Sequence, residues 1–133
     1  MKYHILFAVL CIVIFIESSF PSDSFPDKSF EIEDKLVHFA IYFALSVSAF
    51  LSFTKQKKLS IIRENAFVSI IAFTALYGGL DEIHQYFVPG RNCDFYDWIA
   101  NIAGSFIAVL AIIILKKMFK NKNNIFNSDY DTN

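Results

Sequence analysis

The stretch WIANIAGSFIAVLAIIIL, residues 98–115, contains no charged side chain. A bilayer's hydrocarbon core takes about 20 helical residues, so this segment is nearly long enough to cross it as a helix that satisfies its own backbone. Three more stretches are predominantly apolar and of similar length, at residues 3–19, 36–53 and 66–87, with Glu17 in the first and Asp81 and Glu82 in the last. With 55% of its 133 residues hydrophobic and 17% aromatic, the chain carries more apolar surface than a soluble domain of this size could bury. The expected fold is therefore all-α, an integral membrane bundle of four transmembrane helices. Residues 1–120 form that single domain, in which helices one and two and helices three and four would make two hairpins. Residues 121–133 are polar and Asn-rich and read as a cytoplasmic tail without fixed structure.

The first span needs a separate argument. Lys2 followed by the apolar run Ile5 to Ile16 also fits a signal peptide. Glu17-Ser18-Ser19-Phe20 is a poor cleavage site, and Ala8-Val9-Leu10 before Cys11 is a poor lipoprotein signal, so an uncleaved span is expected. Orientation follows from the basic residues, which are retained on the cytoplasmic side of short loops. Lys2, Lys55, Lys57, Lys58, Arg63, Lys116, Lys117, Lys120 and Lys122 fall on one side, nine of the twelve. Lys28, Lys35 and Arg91 fall on the other, with ten of the thirteen acids. The bundle is thus expected N-in and C-in, and the net charge of -1 conceals the asymmetry. Cys11 in mid-span and Cys93 in an outer loop lie too far apart in depth to pair.

Polar groups are costly at membrane depth, so their positions carry information. Asp34, Lys35 and His38 open span two, and the spacing of four sets Asp34, His38 and Tyr42 along one helical face. Span three ends in Tyr77-Gly78-Gly79-Leu80-Asp81-Glu82-Ile83-His84-Gln85, where Asp81 and Gln85 share a face. Span four starts near Asp94 and Asp97 and continues through Asn101 and Gly104. In the expected topology all three clusters reach the outer membrane face. The candidate site comprises Asp34, Lys35, His38, Tyr42, Asp81, Glu82, Gln85, Arg91, Asp97 and Asn101.

Simpler roles compete for several of these. Asp34 and Asp97 stand where a carboxylate would cap a helix N-terminus. His38 and Tyr42 suit hydrogen bonds within the bundle or the interfacial aromatic layer. Gly78, Gly79, Gly104 and Ser105 suit close helix packing. Asp81 and Glu82 fit such roles less well, because adjacent acids at a helix C-terminus oppose its dipole and need compensation. Arg91 is one candidate partner, since Val88-Pro89-Gly90-Arg91 suits a type II turn that folds the chain back over the helix end. Lys35 and His38 are others. An ion-pair cluster that staples the helices and a polar pocket open to the outer face are both compatible with the pattern.

The order and spacing of these pieces resemble the VanZ-like family of bacterial membrane proteins. The resemblance rests on Asp34-Lys35 with His38 and Tyr42, on Gly79-Leu80-Asp81-Glu82-Ile83-His84-Gln85, on Pro89-Gly90-Arg91, and on Asp94 to Asp97 leading into Ala100-Asn101-Ile102-Ala103-Gly104. Ser18-Ser19-Phe20-Pro21 resembles the family's first loop. The likeness extends from about residue 15 to residue 115. It implies a multi-pass protein of the bacterial cytoplasmic (inner) membrane, part of the cell envelope, whose outer polar residues are the family's signature. The family's name comes from a protein associated with lower sensitivity to glycopeptides, notably teicoplanin, and no established reaction comes with it.

Three functions compete. A binding or structural envelope protein would hold a lipid headgroup, a lipid-linked wall precursor or a lipophilic glycopeptide beside Tyr42, Tyr86, Phe87, Phe95, Tyr96 and Trp98. A membrane enzyme acting on an envelope lipid would use paired carboxylates of unequal pKa, with His38 or His84 moving a proton. Against catalysis, Glu82, His84, His38 and Asp97 have no recognised metal-ligand spacing, and no serine or cysteine has an evident base, so neither a metal nor another cofactor is expected. A transporter would need ionisable groups at mid-membrane that the spans lack. Membrane lipids are the expected partners, and the scattered basic loops carry no nucleic-acid motif.

Overall fold

A computed structural model of the chain describes the backbone of residues 1–21 and 31–130, and side chains of residues 1–21 and 34–121. The described residues form five helices: α1 (Lys2–Ser18), α2 (Glu31–Lys55), α3 (Ser60–Glu64), α4 (Ala66–Tyr86) and α5 (Phe95–Tyr130). All secondary structure among them is helical, as a chain that must satisfy its backbone without water requires. The short helix α3 occupies the basic loop between the second and third expected spans. The unstructured outer loop expected at residues 21–33 lies largely outside the described residues, and Glu31–Glu33 already belong to α2. The tail assigned from Asn121 onward begins inside α5, and residues 131–133 lie outside the described ones.

Three helices are long and apolar enough to cross a membrane, at Asp34–Lys55, Ala66–Tyr86 and Phe95–Asn121. With its 17 residues, α1 reaches about 25 Å against a hydrocarbon core of about 30 Å. Burial is inverted relative to a soluble protein. Among the described residues thirteen polar side chains are buried against nine apolar ones, while Ile5, Val9, Ile12, Val68, Leu76, Phe106 and Ile114 are exposed. An apolar exterior of this extent needs lipid to cover it.

The most extensive contact pairs α2 with α5, helices distant in sequence, and α4 packs on both. The neighbouring helices α1 and α2, and α4 and α5, also touch, as two hairpins would. Gly104 sets the separation of α2 and α5: an added Cβ would lie 2.2 Å from the Phe39 carbonyl oxygen. Only a residue without a side chain lets the two backbones meet there. Two apolar clusters fill the rest, one around Tyr42 and Leu45, the other around Ala49, Ile70 and Val109. Phe7 joins both, edge-on to Phe53 and Phe73 with ring centroids 5.5 and 5.0 Å away.

Polar contacts hold α1 along its length. His4 Nδ1 lies 2.7 Å from Ser52 Oγ, the Tyr77 hydroxyl donates to the Cys11 carbonyl at 2.6 Å, and the Ser18 hydroxyl meets Asp81. These contacts run α1 antiparallel to α2 and parallel to α4. The turn after α4 forms as expected: Arg91 N–H donates to the Val88 carbonyl at 3.1 Å, with Gly90 at φ 75°.

Replacing Gly104 by Ala should lower the unfolding free energy in detergent by about 1–3 kcal/mol through overpacking. Gly79, whose added Cβ would meet Trp98 only at 3.5 Å, should tolerate Ala within about 0.5 kcal/mol. Thermal unfolding of the two variants beside the parent checks this, and equal melting points for Gly104→Ala and the parent would refute the close approach.

Candidate polar centre

The ten residues singled out in the sequence gather at one end of the bundle, where α2 and α5 begin and α4 ends. From α2 come Asp34, Lys35, His38 and Tyr42, from α4 Asp81, Glu82 and Gln85, and from α5 Asp97 and Asn101. Arg91 comes from the turn between α4 and α5. The arrangement is a lattice of pairs. Lys35 Nζ donates to Asp94 Oδ2 at 2.9 Å and to Asp97 Oδ1 at 3.1 Å. His38 Nδ1 lies 3.1 Å from Asn101 Oδ1 and 3.9 Å from Glu82 Oε1, while its Nε2 lies 4.0 Å from Asp97 Oδ2. Asp81 accepts from the Ser18 hydroxyl and, at 3.5 Å, from the Gln85 amide.

Asp94, outside the candidate set, organises the start of α5. Its Oδ1 accepts the Tyr96 N–H at 2.7 Å, and its carbonyl takes the first helical bonds from Asp97 and Trp98. These are the bonds of an N-cap, so Asp94 rather than Asp97 fills that role. Its own N–H donates to Glu82 Oε2 at 3.0 Å, fixing that carboxylate. The Lys35 ammonium and the Tyr96 N–H hold the Asp94 carboxyl below its usual range. Asp34 likewise lies inside α2, three residues past its start, rather than capping it.

Arg91 corrects the expectation that it compensates Asp81 and Glu82. It turns to α1, donating through Nε to the Phe20 carbonyl at 3.2 Å and through Nη2 to the Glu17 carbonyl and carboxylate at 3.2 and 2.9 Å. A helix C-terminus presents unsatisfied carbonyls and partial negative charge, which suits the guanidinium fork. Lys35 is also drawn aside, to the α5 acids. Of the three expected partners only His38 approaches Glu82. His84 faces α1, stacked on Phe15 and 3.0 Å from Ser19 Oγ.

Several buried atoms have no hydrogen-bond partner among the described residues: Tyr42 Oη, Ser46 Oγ, Glu82 Oε1 and Asn101 Nδ2. Leaving such an atom unsatisfied costs about 1–3 kcal/mol. Three of the four belong to side chains that gather around Gly78 and His38. A Cβ at Gly78 would lie 3.1 Å from Asn101 Nδ2 and 3.3 Å from Tyr42 Cε1, and Glu82 follows Gly78 by one turn of α4. Gly78 thus leaves the room in which Tyr42 and Asn101 meet. Below them the seam continues through Thr74, whose hydroxyl donates to Ser105 Oγ at 2.7 Å.

Two overlapping groups have the residue types of a metal centre: His38 with Asp81 and Glu82, and His38 with Asp34 and Asp97. In each, one ligand atom per residue lies within 4.8 Å of the others. The sequence showed no ligand spacing for either, because each group draws its ligands from two helices, α2 with α4 or α2 with α5, rather than from one spaced motif. Ser18 was equally hidden. It becomes a site residue only because α1 ends beside Asp81.

Comparison with curated proteins gives no match, and neither does comparison with solved structures. The family model described as VanZ/LLP1 matches residues 3–116, a range that includes every residue of the polar centre. The chain belongs to the VanZ/LLP1 family.

Proposed function

We propose that this is a multi-pass protein of the bacterial cytoplasmic membrane whose polar centre, at the outer face, binds the polar headgroup of an amphiphilic envelope molecule. The headgroup of a membrane lipid, a lipid-linked wall precursor or a lipophilic glycopeptide has the required chemistry. The observation that carries this reading is that Tyr42 Oη, Glu82 Oε1 and Asn101 Nδ2, on side chains gathered around Gly78 and His38, are buried and have no hydrogen-bond partner among the described residues. A headgroup's donors and acceptors would satisfy them. Around the same end Tyr86, Phe87, Phe95 and Tyr96 are exposed, as suits an aromatic belt against which an amphiphile's chain could lie.

In this reading α1 is the fourth span. Its contacts at His4 and Ser18 extend it over most of the bundle's height, and its outward side, with Leu6, Val13 and Ile16, suits lipid. The basic residues of the opposite end then lie in the cytoplasm, giving the N-in, C-in orientation. Lys116 there sits 5.4 Å from the Phe50 ring centroid and 5.8 Å from that of Phe67.

Orientation is tested with a membrane-impermeant maleimide on intact cells. Cys93 is exposed and should be labelled from outside, whereas Cys11 should not. Burial, with the Glu82 and Asp94 charges, pushes the Cys93 thiol up, so labelling should speed up as pH rises and the thiolate fraction grows. Cys93 that reacts only after permeabilisation would invert the topology.

Headgroup binding is tested by photo-crosslinking purified protein with lipid and teicoplanin probes. Tyr42→Phe removes a buried hydroxyl that has no partner, so it should raise stability slightly, by up to about 1 kcal/mol, while lowering labelling severalfold. The Asp81→Asn, Arg91→Ala double variant should lose labelling. Unchanged labelling in both would sink the reading.

A further inference from the structure

The geometry points to a divalent-cation site formed by His38, Asp81 and Glu82. These three residues, from α2 and α4, are 7%, 7% and 3% exposed, and each offers a ligand atom within 4.8 Å of the other two. An ion with ligand distances of about 2.0–2.2 Å would draw the atoms to roughly 3–3.6 Å apart, a contraction that side-chain rotation can supply.

Glu82 gives the independent sign of a ligand. One of its oxygens, Oε2, is fixed by the Asp94 N–H, and the other, Oε1, has no hydrogen-bond partner among the described residues and lies 3.9 Å from His38 Nδ1. A carboxylate held by one oxygen with the other directed toward an imidazole is the disposition a metal ligand needs. Charge leads to the same conclusion. Asp81 and Glu82 are consecutive acids near the C-terminal end of α4, where the helix dipole adds further negative potential. Among the described residues, no lysine or arginine nitrogen lies within 4 Å of either carboxylate. Lys35 pairs with Asp94 and Asp97, and Arg91 holds the end of α1. A doubly charged ion would neutralise both acids where water cannot.

The surrounding contacts are those that orient metal ligands. Ser18 and Gln85 donate to Asp81, the Asp94 N–H donates to Glu82, and Asp97 Oδ2 lies 4.0 Å from His38 Nε2. His38 Nδ1, 3.1 Å from Asn101 Oδ1, gives up that contact when its lone pair turns to the ion; Nε2 then carries the proton and faces Asp97, which Lys35 in turn anchors. A carboxylate behind a ligating imidazole fixes its tautomer and raises its basicity. One imidazole and two carboxylates suit Zn²⁺ or Mn²⁺, whereas Ca²⁺ favours six to eight oxygens. Three protein ligands would leave a coordination position that an anionic headgroup oxygen could fill. The inference therefore deepens the headgroup reading and rests on it only for what fills that open position.

The test uses the full chain in detergent, stripped with a chelator and then titrated separately with Zn²⁺ and Mn²⁺, with bound metal measured by mass spectrometry. Uptake of about one equivalent of at least one ion is expected. Glu82→Gln should weaken it at least about 100-fold and Asp97→Asn about 10–100-fold, while Glu64→Gln, exposed at the opposite end of the bundle, should leave it unchanged. Uptake lost in Asp34→Asn but kept in Glu82→Gln would place the ion in the other group and overturn the assignment. X-ray absorption on the Zn²⁺-loaded parent supplies a readout that does not depend on the folding of Glu82→Gln. Imidazole scattering is expected, and its absence, or no uptake by the parent, refutes the site. Lipid photo-labelling of the stripped protein separates the two readings. Labelling without metal uptake removes the ion and keeps the headgroup, and uptake without labelling does the reverse.

Discussion

Hydrocarbon cannot solvate a carboxylate, and the end of α4 carries two in succession. Much else in the bundle follows from that constraint. Ser18 places the end of α1 against Asp81, and the backbone of Asp94 ties the start of α5 to Glu82. His38 brings α2 to the same point. The acids are thus the place where all four long helices meet, and the apolar surfaces between them pack around a geometry that polar bonds have set. In a soluble protein the core would lead and the polar groups would face outward. Among the described residues more polar side chains than apolar ones are buried, and lipid takes the place of a core for the rest.

Much of this was legible in the sequence. Residues 98–115 announced a membrane helix, and the four-residue spacing of Asp34, His38 and Tyr42 put them correctly on one face. Val88 to Arg91 announced the turn, because proline and glycine fix backbone angles locally. Less legible was anything that depended on which helix lies beside which. Arg91 was sought at Asp81 because the chain returns over that helix end, yet the carbonyls of Glu17 and Phe20, far away in sequence, are its partners. Position near a helix start left capping and a site role both open for Asp97, and the cap proves to be Asp94, three residues earlier. Thr74 gave no signal, and Ser105 read only as a small residue suited to close packing, since isolated small hydroxyls in apolar helices commonly bond their own backbone, as Thr74 also does to the Ile70 carbonyl.

Gly78 and Gly104 carry different consequences although both are buried glycines in spans. Gly104 allows backbone to meet backbone, so its absence of a side chain determines how near two helices come. Gly78 allows side chain to meet side chain, leaving space where Tyr42 and Asn101 converge. One glycine concerns the scaffold and the other its polar interior, a distinction that composition alone could not draw.

The pairing of α2 with α5 also bears on the order of events during synthesis. The ribosome releases α2 early, with Lys35 and His38 on the side that will later face Asp97 and Asn101, and those partners arrive only with the last helix. Contacts between distant segments must wait for the chain that separates them. The membrane-inserted nascent chain therefore passes through a stage in which an ammonium and an imidazole await their partners. Completion of the fold is tied to the emergence of the C-terminal helix rather than to stepwise closure of successive hairpins.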